Sequence, residues 1–179
     1  GSWNGLGIFY LENGNKYYEG EFSENSFYGT GKLFFKNRKY YEGMFHKNIP
    51  HKLGVYFYPE SERIRYRGEI KKGVPDGFGV FFTKNTNIFY QGFHKKGCPN
   101  GYGIQFHENK NLYYTGFFKD GKKEKEGILY SIHPEKKIYE GEFKEDLFHG
   151  KGTFYRDGQI FYQGEFQNGN FNGYGILYN

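Results

Sequence analysis

The sequence contains no alanine, and cysteine, methionine and tryptophan occur once each among its 179 residues. Because alanine is the strongest helix former, its absence beside 28 glycines, 19 tyrosines and 21 phenylalanines predicts strands and turns with almost no helix. The abundance of aromatic residues also argues for a folded chain, since disordered segments are poor in them.

A single cysteine, Cys98, cannot form a disulfide within the chain, which favours a reducing compartment and predicts a cytoplasmic location. No apolar run approaches the ~18 residues that a membrane span needs. Association with a cytoskeleton or with a membrane surface stays open. The net charge of +5 permits an acidic partner but does not require one.

A tyrosine recurs every 23 to 25 residues, and we call it the motif tyrosine of its repeat. The motif tyrosines of repeats 1 to 7 are Tyr18, Tyr41, Tyr66, Tyr90, Tyr114, Tyr139 and Tyr162. Two positions after each comes a motif glycine: Gly20, Gly43, Gly68, Gly92, Gly116, Gly141 and Gly164. We expect these glycines to be structural, because they let neighbouring strands approach closely.

A second glycine lies 13 residues after each motif tyrosine, and an aromatic residue follows it three positions later. The second glycines are Gly31, Gly54, Gly79, Gly103, Gly127, Gly152 and Gly175. Five of them have another glycine two positions earlier, whereas Lys52 and Lys125 take that place in repeats 2 and 5.

Each repeat has the pattern of two short strands joined by a turn, with tyrosine, glycine and phenylalanine alternating onto one face. A single hairpin is marginally stable, so the hairpins must stack on one another. We therefore predict an all-β, elongated, single-layer twisted solenoid of antiparallel hairpins. One array spans residues 1–179, with a half repeat at 3–10 and full repeats from about 18, 41, 66, 90, 114, 139 and 162.

The pattern Y-E-G-E-F, followed by G-x-G, resembles the MORN (membrane occupation and recognition nexus) repeat, and the resemblance covers nearly the whole chain. Proteins that it resembles include protozoan cytoskeletal proteins made only of such repeats. The resemblance implies an accessory or scaffold role in protein interaction and self-assembly, while the family name implies membrane binding. The chain departs from the pattern at Lys52 and Lys125, and at His94, where an apolar residue is expected.

No arrangement of residues predicts catalysis. The paired glycines do not make a phosphate-binding loop, because a third glycine and a following helix are missing. The six histidines occupy different repeat positions, and none has zinc spacing to Cys98. The glutamates of the repeats alternate with the tyrosine face and are expected to face water. We therefore expect no enzyme activity, cofactor, resident metal or nucleic-acid partner, and a metal that bridges two chains stays open.

A partner site is expected where the repeats differ. The residue after the motif glycine is glutamate in four repeats, but Met44, Phe93 and Phe117 replace it in repeats 2, 4 and 5. Exposed neighbouring aromatics indicate a contact surface, so we predict partner binding at Met44, Phe93, His94 and Phe117. In the alternative, a bulge in repeat 4 turns Phe93 inward and His94 outward.

Lysine pairs recur between the two strands of successive repeats. If these segments align along one edge, they form a basic stripe that contacts phospholipid headgroups weakly. Its candidate residues are Lys71, Lys72, Lys95, Lys96, Lys119, Lys122 and Lys123. Ordinary solvated turns are the alternative.

The last repeat presents an open strand edge, and such edges invite pairing with another chain. A two-fold homodimer would close it. The candidate dimer residues are Phe161, Tyr162, Phe166, Tyr174, Leu177 and Tyr178.

Two functions are therefore predicted. The first is a non-enzymatic structural scaffold that forms homodimers and binds other proteins, cytoskeletal ones among them. The second is a phospholipid- or phosphoinositide-binding module that recruits a larger protein to a membrane.

Overall fold

The computed structural model describes residues 1–132 and 136–179, and in these ranges every regular element is a β-strand. The chain divides into two units, Gly1–Ile88 and Phe89–Asn179. In both units each strand pairs antiparallel with the next strand in the chain. The prediction of an all-β fold built from stacked antiparallel hairpins is confirmed.

The first unit contains the half repeat and repeats 1 to 3. Its strands are β1 (Gly5–Tyr10), β2 (Lys16–Ser23), β3 (Ser26–Phe35), β4 (Arg38–His46), β5 (Ile49–Phe57), β6 (Ile64–Lys71) and β7 (Val74–Phe82).

The second unit contains repeats 4 to 7. Its strands are β8 (Ile88–Lys95), β9 (Cys98–Phe106), β10 (Leu112–Lys119), β11 (Lys122–Tyr130), β12 (Lys137–Lys144), β13 (Leu147–Arg156), β14 (Gln159–Gln167) and β15 (Asn170–Leu177).

The glycines of successive strands lie directly across from one another. In the first unit Gly20 pairs with Gly31, Gly31 with Gly43, and Gly43 with Gly54. A Cβ on Gly31 would collide with the ring and hydroxyl of Tyr18, which lie over it. The paired glycines therefore provide the flat backbone surface on which the tyrosine ring rests.

Every motif tyrosine makes the same hydrogen bond. Its hydroxyl donates to the backbone carbonyl of the residue three positions later, at 2.8–3.2 Å in all seven repeats. The ring can therefore be buried while its polar tip keeps a partner.

The core lies on the face that carries the motif tyrosines, which we call the tyrosine face. Tyr18 stacks on Phe27 with ring centroids 3.9 Å apart, and the edge of Phe45 from the next repeat packs against it at 5.1 Å. Tyr139 repeats this arrangement in the second unit with Phe148 and Phe166. Tyr18 and Tyr139 therefore each contact both their own repeat and the next one.

Turns add a second connection between repeats. The amide of Phe27 donates to Oδ1 of Asn48, and the amide of Asn48 donates back to the carbonyl of Phe27, at 2.7 and 3.0 Å. Lys123 and Asp146 make the equivalent pair of bonds. Asn48 and Asp146 have φ values of 69° and 71°, a conformation that Asn and Asp tolerate better than most residues.

Candidate functional site

The face opposite the tyrosines carries the residues on either side of each motif glycine, and we call it the groove face. The backbone of these glycines lies between the side chains on either side of them and forms the floor of a groove. In the first unit the groove encloses about 590 Å³ between Leu6, Ile8, Thr30 and Glu42. In the second unit one stretch of about 550 Å³ lies beside Phe117, and another of about 720 Å³ lies beside Tyr174.

A bulge occurs at the same place in every repeat. In repeat 1, Gly20 pairs with Gly31 but Glu21 pairs with Tyr28. Gly29 and Thr30 of β3 are therefore left without partners in β2. Gly29 has a φ of 57°, which lies in the left-handed region. The bulge displaces the chain enough to bring residues of the second strand beside the side chain that follows the motif glycine.

The glutamates after the motif glycine bond to this bulge. The Glu21 carboxylate accepts hydrogen bonds from the hydroxyl and amide of Thr30, at 2.6 and 2.8 Å. The Thr30 hydroxyl, followed by its amide, holds the pKa of Glu21 below its usual value. Glu69 and Glu142 accept equivalent bonds from the amides of Phe78 and Lys151. As expected, these glutamates lie on the solvent side, since Glu69 and Glu142 are exposed and Glu21 is half-buried. Their carboxylates also satisfy backbone donors of the bulge, which the sequence analysis did not predict.

The departures Lys52 and Lys125 follow from the same geometry. Both lysines have the left-handed conformation that glycine has elsewhere, with φ of 61° and 57°. A Cβ on Gly29 would collide with the Glu21 carboxylate, so glutamate after the motif glycine requires glycine in the bulge. Repeats 2 and 5 have lysine in the bulge and, in place of glutamate, Met44 and Phe117. Lysine therefore replaces the bulge glycine only in repeats without this glutamate, and repeat 4 keeps Gly101 beside Phe93.

The candidate partner residues lie in different places. Phe93 and Phe117 project from the groove face and are 49% and 39% exposed, while Met44 is half-buried in the first unit. His94 is only 4% exposed and packs against Tyr90 on the tyrosine face, with ring centroids 5.0 Å apart. The alternative in which Phe93 turns inward and His94 outward is wrong. His94 does not share a surface with Phe93, because alternation along β8 sends the two side chains to opposite faces.

Tyr102 is a surface residue that the sequence analysis missed. Its ring packs edge-on against Phe117 at 5.6 Å, and its hydroxyl shares a hydrogen bond of 2.8 Å with Thr115. It is the residue before a second glycine. A comparison of that position across the repeats would have found it, because the position varies from Thr30 to Glu126 and is therefore not part of the shared framework.

The candidate headgroup lysines lie at or beside the turns between the two strands of a repeat. Lys71, Lys72, Lys95, Lys96, Lys119 and Lys122 are exposed. The Nζ atom of Lys122 lies 3.8 Å from a carboxylate oxygen of Glu145, and that of Lys123 lies 3.5 Å from Asp146. The side chain of Lys123 is 12% exposed and lies over the rings of Tyr113 and Tyr114. Lys123 is therefore a packing residue as much as a surface charge.

The candidate dimer residues divide between surface and core. Tyr174, Leu177 and Tyr178 are exposed, Tyr174 by 90%. Tyr162 and Phe166 are buried on the tyrosine face of β14, and Phe161 is half-buried. Only the residues of β15 and the one after it are therefore presented directly to a second chain.

Within residues 1–132 and 136–179, no group of three or more histidine, cysteine, aspartate or glutamate side chains is placed to hold a metal ion. His133 lies outside these ranges. The part of the chain that the structure describes also contains no helix long and apolar enough to cross a membrane.

Comparison with known proteins identifies the repeat. No curated protein matches the chain in a sequence search. The family model of the MORN repeat matches residues 41–63, 66–86, 139–160 and 162–178, which correspond to repeats 2, 3, 6 and 7. Repeats 1, 4 and 5 share the paired glycines, the bulge and the tyrosine hydrogen bond of the matched ones. The chain therefore belongs to the MORN repeat family.

Proposed function

We propose that this protein is a non-enzymatic scaffold that binds other proteins through its groove face and associates with itself in a cytoplasmic assembly at the cytoskeleton or a membrane. MORN repeats are associated with scaffolds that interact with membranes or proteins, and their fold is typically non-catalytic. The observation that supports the proposal is that the shared residues are buried on the tyrosine face, whereas Phe93 and Phe117 are exposed on the groove face.

The residues that all repeats share hold the sheet together. Each motif tyrosine is buried and hydrogen-bonded, and each pair of glycines supports a tyrosine ring. Of the residues that differ between repeats, Phe93 and Phe117 project from the groove face and are exposed. Exposed aromatic side chains on one face are typical of a surface that contacts another molecule.

The protein-binding role is tested by affinity capture from the cells that produce this protein, followed by quantitative mass spectrometry. We expect the intact chain to retain a reproducible set of proteins, and the variant Phe93→Ser/Phe117→Ser to lose members of that set. Phe35→Ser is the matched control, because Phe35 is also exposed but lies at the end of β3 beside a turn. A chain that retains nothing above background would contradict the proposal.

We infer that self-association uses β15. This strand is exposed along its whole length and pairs with β14 on one side only. A second copy could pair with its free edge by a two-fold axis, which would cover Tyr174 and Leu177 and add to the layer formed by Phe161, Tyr162 and Phe166. Tyr178, just beyond the strand, would lie at the rim.

Sedimentation equilibrium tests this arrangement. We expect the chain to be a dimer, and Tyr174→Glu/Leu177→Glu to be a monomer, because the two-fold axis brings like charges together. A wild-type chain that stays monomeric at high concentration would remove β15 from the proposal and leave the groove face unaffected.

Phospholipid binding is the second candidate function, and the repeated placement of the lysines favours it. Lys71 and Lys72 occupy the same position in repeat 3 as Lys95 and Lys96 in repeat 4, and all four are exposed. Co-sedimentation with vesicles rich in phosphatidylserine or phosphoinositide tests this function. Salt-sensitive pelleting that Lys71→Glu/Lys72→Glu reduces would support it, and an absence of pelleting would exclude it.

A further inference from the structure

The groove face changes character along the repeats. Beside the motif glycine, repeats 1, 2 and 6 carry a lysine and a glutamate three residues apart, which form ion pairs such as Lys16–Glu19 at 2.8 Å. In repeat 5 the same two positions hold Leu112 and Thr115. Repeat 5 therefore lacks this ion pair, although Glu140 of the Lys137–Glu140 pair also lines the stretch of groove that contains Phe117.

Repeats 4 and 5 line this stretch with apolar side chains. Phe117 forms one wall and contacts Tyr102 edge-on. The Tyr102 hydroxyl reaches across the glycine row to bond with Thr115. Ile128 lies on the opposite side of the glycine row. The floor includes the backbone of Gly116 and Gly127.

The adjoining end of the same groove carries two carboxylates that face each other. Glu126 and Glu142 lie directly across from one another on β11 and β12. Lys151 and Glu140 also line the cavity, and Glu140 already forms an ion pair with Lys137. Like charges directly opposite one another are unfavourable in a sheet, and a cation placed between them would relieve the repulsion. Glu142 already accepts the amide of Lys151, whereas the Glu126 side chain is exposed.

Phe117 itself is open to a cation. The Nζ atom of Lys125 lies 5.9 Å from the centre of the Phe117 ring, within the range of a cation–π contact. This lysine is in the left-handed bulge position and is exposed. The ring face is therefore accessible, and Lys125 occupies a place that a basic side chain of a ligand would take.

We propose that this stretch, which we call the repeat-5 groove, binds an extended segment of a partner protein that carries an arginine or lysine close to an apolar side chain. The apolar side chain packs between Phe117 and Ile128, and the basic group reaches Glu126 and Glu142. The groove volume of about 550 Å³ accommodates a few side chains of an extended segment. A helix with its side chains is ~10 Å wide and needs more room than this stretch of groove provides. The inference rests on the proposed protein-binding function and names the chemistry of the partner.

The experiment uses the full chain and a displayed library of random linear peptides. We expect selected peptides to be enriched in arginine or lysine within two residues of an aliphatic or aromatic residue. A selected peptide is then synthesised with a fluorescent label, and its affinity is measured by anisotropy. Both Phe117→Ser and Glu126→Lys should weaken binding about tenfold or more, whereas Lys125→Ser should strengthen it by removing the competing cation.

Two control variants make the same chemical changes outside the groove. Phe35→Ser removes an exposed aromatic ring, and Glu12→Lys reverses an exposed charge in the turn after β1. Both should leave the affinity within about twofold, which is near the scatter expected of a surface change. All five variants alter exposed side chains, and circular dichroism should show the same fold for each.

Three results would overturn the inference. These are a failure to select any peptide, selection of acidic or uncharged sequences only, and binding that Phe117→Ser and Glu126→Lys do not change. If the chain captures cellular proteins independently of Phe117 and Glu126, the scaffold function stands and the repeat-5 groove is not its site. If it captures none, the scaffold function itself fails.

Discussion

Tyrosine and glycine act as one structural group at the scale of single residues. The ring of Tyr41 lies over Gly43 and Gly54, and its hydroxyl donates to the carbonyl of Met44 at 3.1 Å. The ring can lie this close to the sheet only because neither glycine has a Cβ. The motif glycine is therefore required by a side chain two positions before it as well as by the neighbouring strand.

The substitution Gly54→Ala tests this relation. Its Cβ would collide with the ring of Tyr41 where the backbone itself is unstrained, so we expect a loss of about 2–3 kcal/mol in the free energy of unfolding. Gly14→Asn is the control, because Gly14 has a φ of 80°, which asparagine tolerates, and open space around it. Urea denaturation measures both variants, and equal stability of the two would contradict the steric account.

At the scale of one element, the hairpin of each repeat is shaped by its bulge. Glutamate after the motif glycine bonds to the amide of the bulge, and this bond needs glycine in the left-handed position, as with Glu21 and Gly29. Lysine in that position accompanies Met44 or Phe117 instead. The hairpins therefore come in two forms, one closed by a carboxylate and one that leaves a hydrophobic side chain on the groove face.

A double-mutant cycle in repeat 1 tests this coupling. Gly29→Lys alone should destabilise the chain, because its side chain meets the Glu21 carboxylate. After Glu21→Met, which copies repeat 2, the same change should cost less, with a coupling energy on the order of 1 kcal/mol. Thermal unfolding of the two single variants, the double variant and the wild type gives this energy. A coupling near zero would show that the two positions vary independently.

At the scale of the whole molecule, buried tyrosines dominate the core of both units. Burial raises the pKa of Tyr18 and of Tyr90 from 10.0 to about 12. For both residues loss of solvation is the largest cause, and for Tyr18 the nearby Glu21 carboxylate adds to it. Burial raises the pKa of Tyr41, Tyr56, Tyr66, Tyr114 and Tyr139 as well. Many groups therefore resist ionisation together in the folded state.

The chain should consequently unfold at alkaline pH. A tyrosine whose pKa is higher in the folded state than in the unfolded state stabilises the fold. This contribution is complete below pH 10.0 and is lost as the pH rises through about 12. We expect the thermal midpoint to fall steeply over this interval, together with the appearance of tyrosinate absorbance. If the absorbance rises fully near pH 10.0 while circular dichroism stays unchanged, the core tyrosines are not shielded as the structure indicates.

Most of the fold could be predicted because each repeat restates the same information. Alternation places the tyrosine, glycine and phenylalanine positions on one face, and seven copies make the strand pattern unambiguous. The candidate surface was only partly predictable. Phe93 and Phe117 were visible as deviations, and Tyr102 was missed because the position before the second glycine was not compared across the repeats. The bonds from the glutamates to backbone amides could not be predicted, because they depend on a bulge that only the strand pairing reveals.

The amino-acid sequence by itself therefore determined the strands, the hairpins and the repeat family, since these depend on local alternation and spacing. Only the tertiary structure decided which side chains face the groove. The residues of each second strand that do not pair with the first strand change the alignment of the two strands. This change brings a carboxylate onto a backbone amide in repeat 1 and leaves Phe117 exposed in repeat 5. Such contacts depend on the register between strands, and that register is a property of the folded sheet.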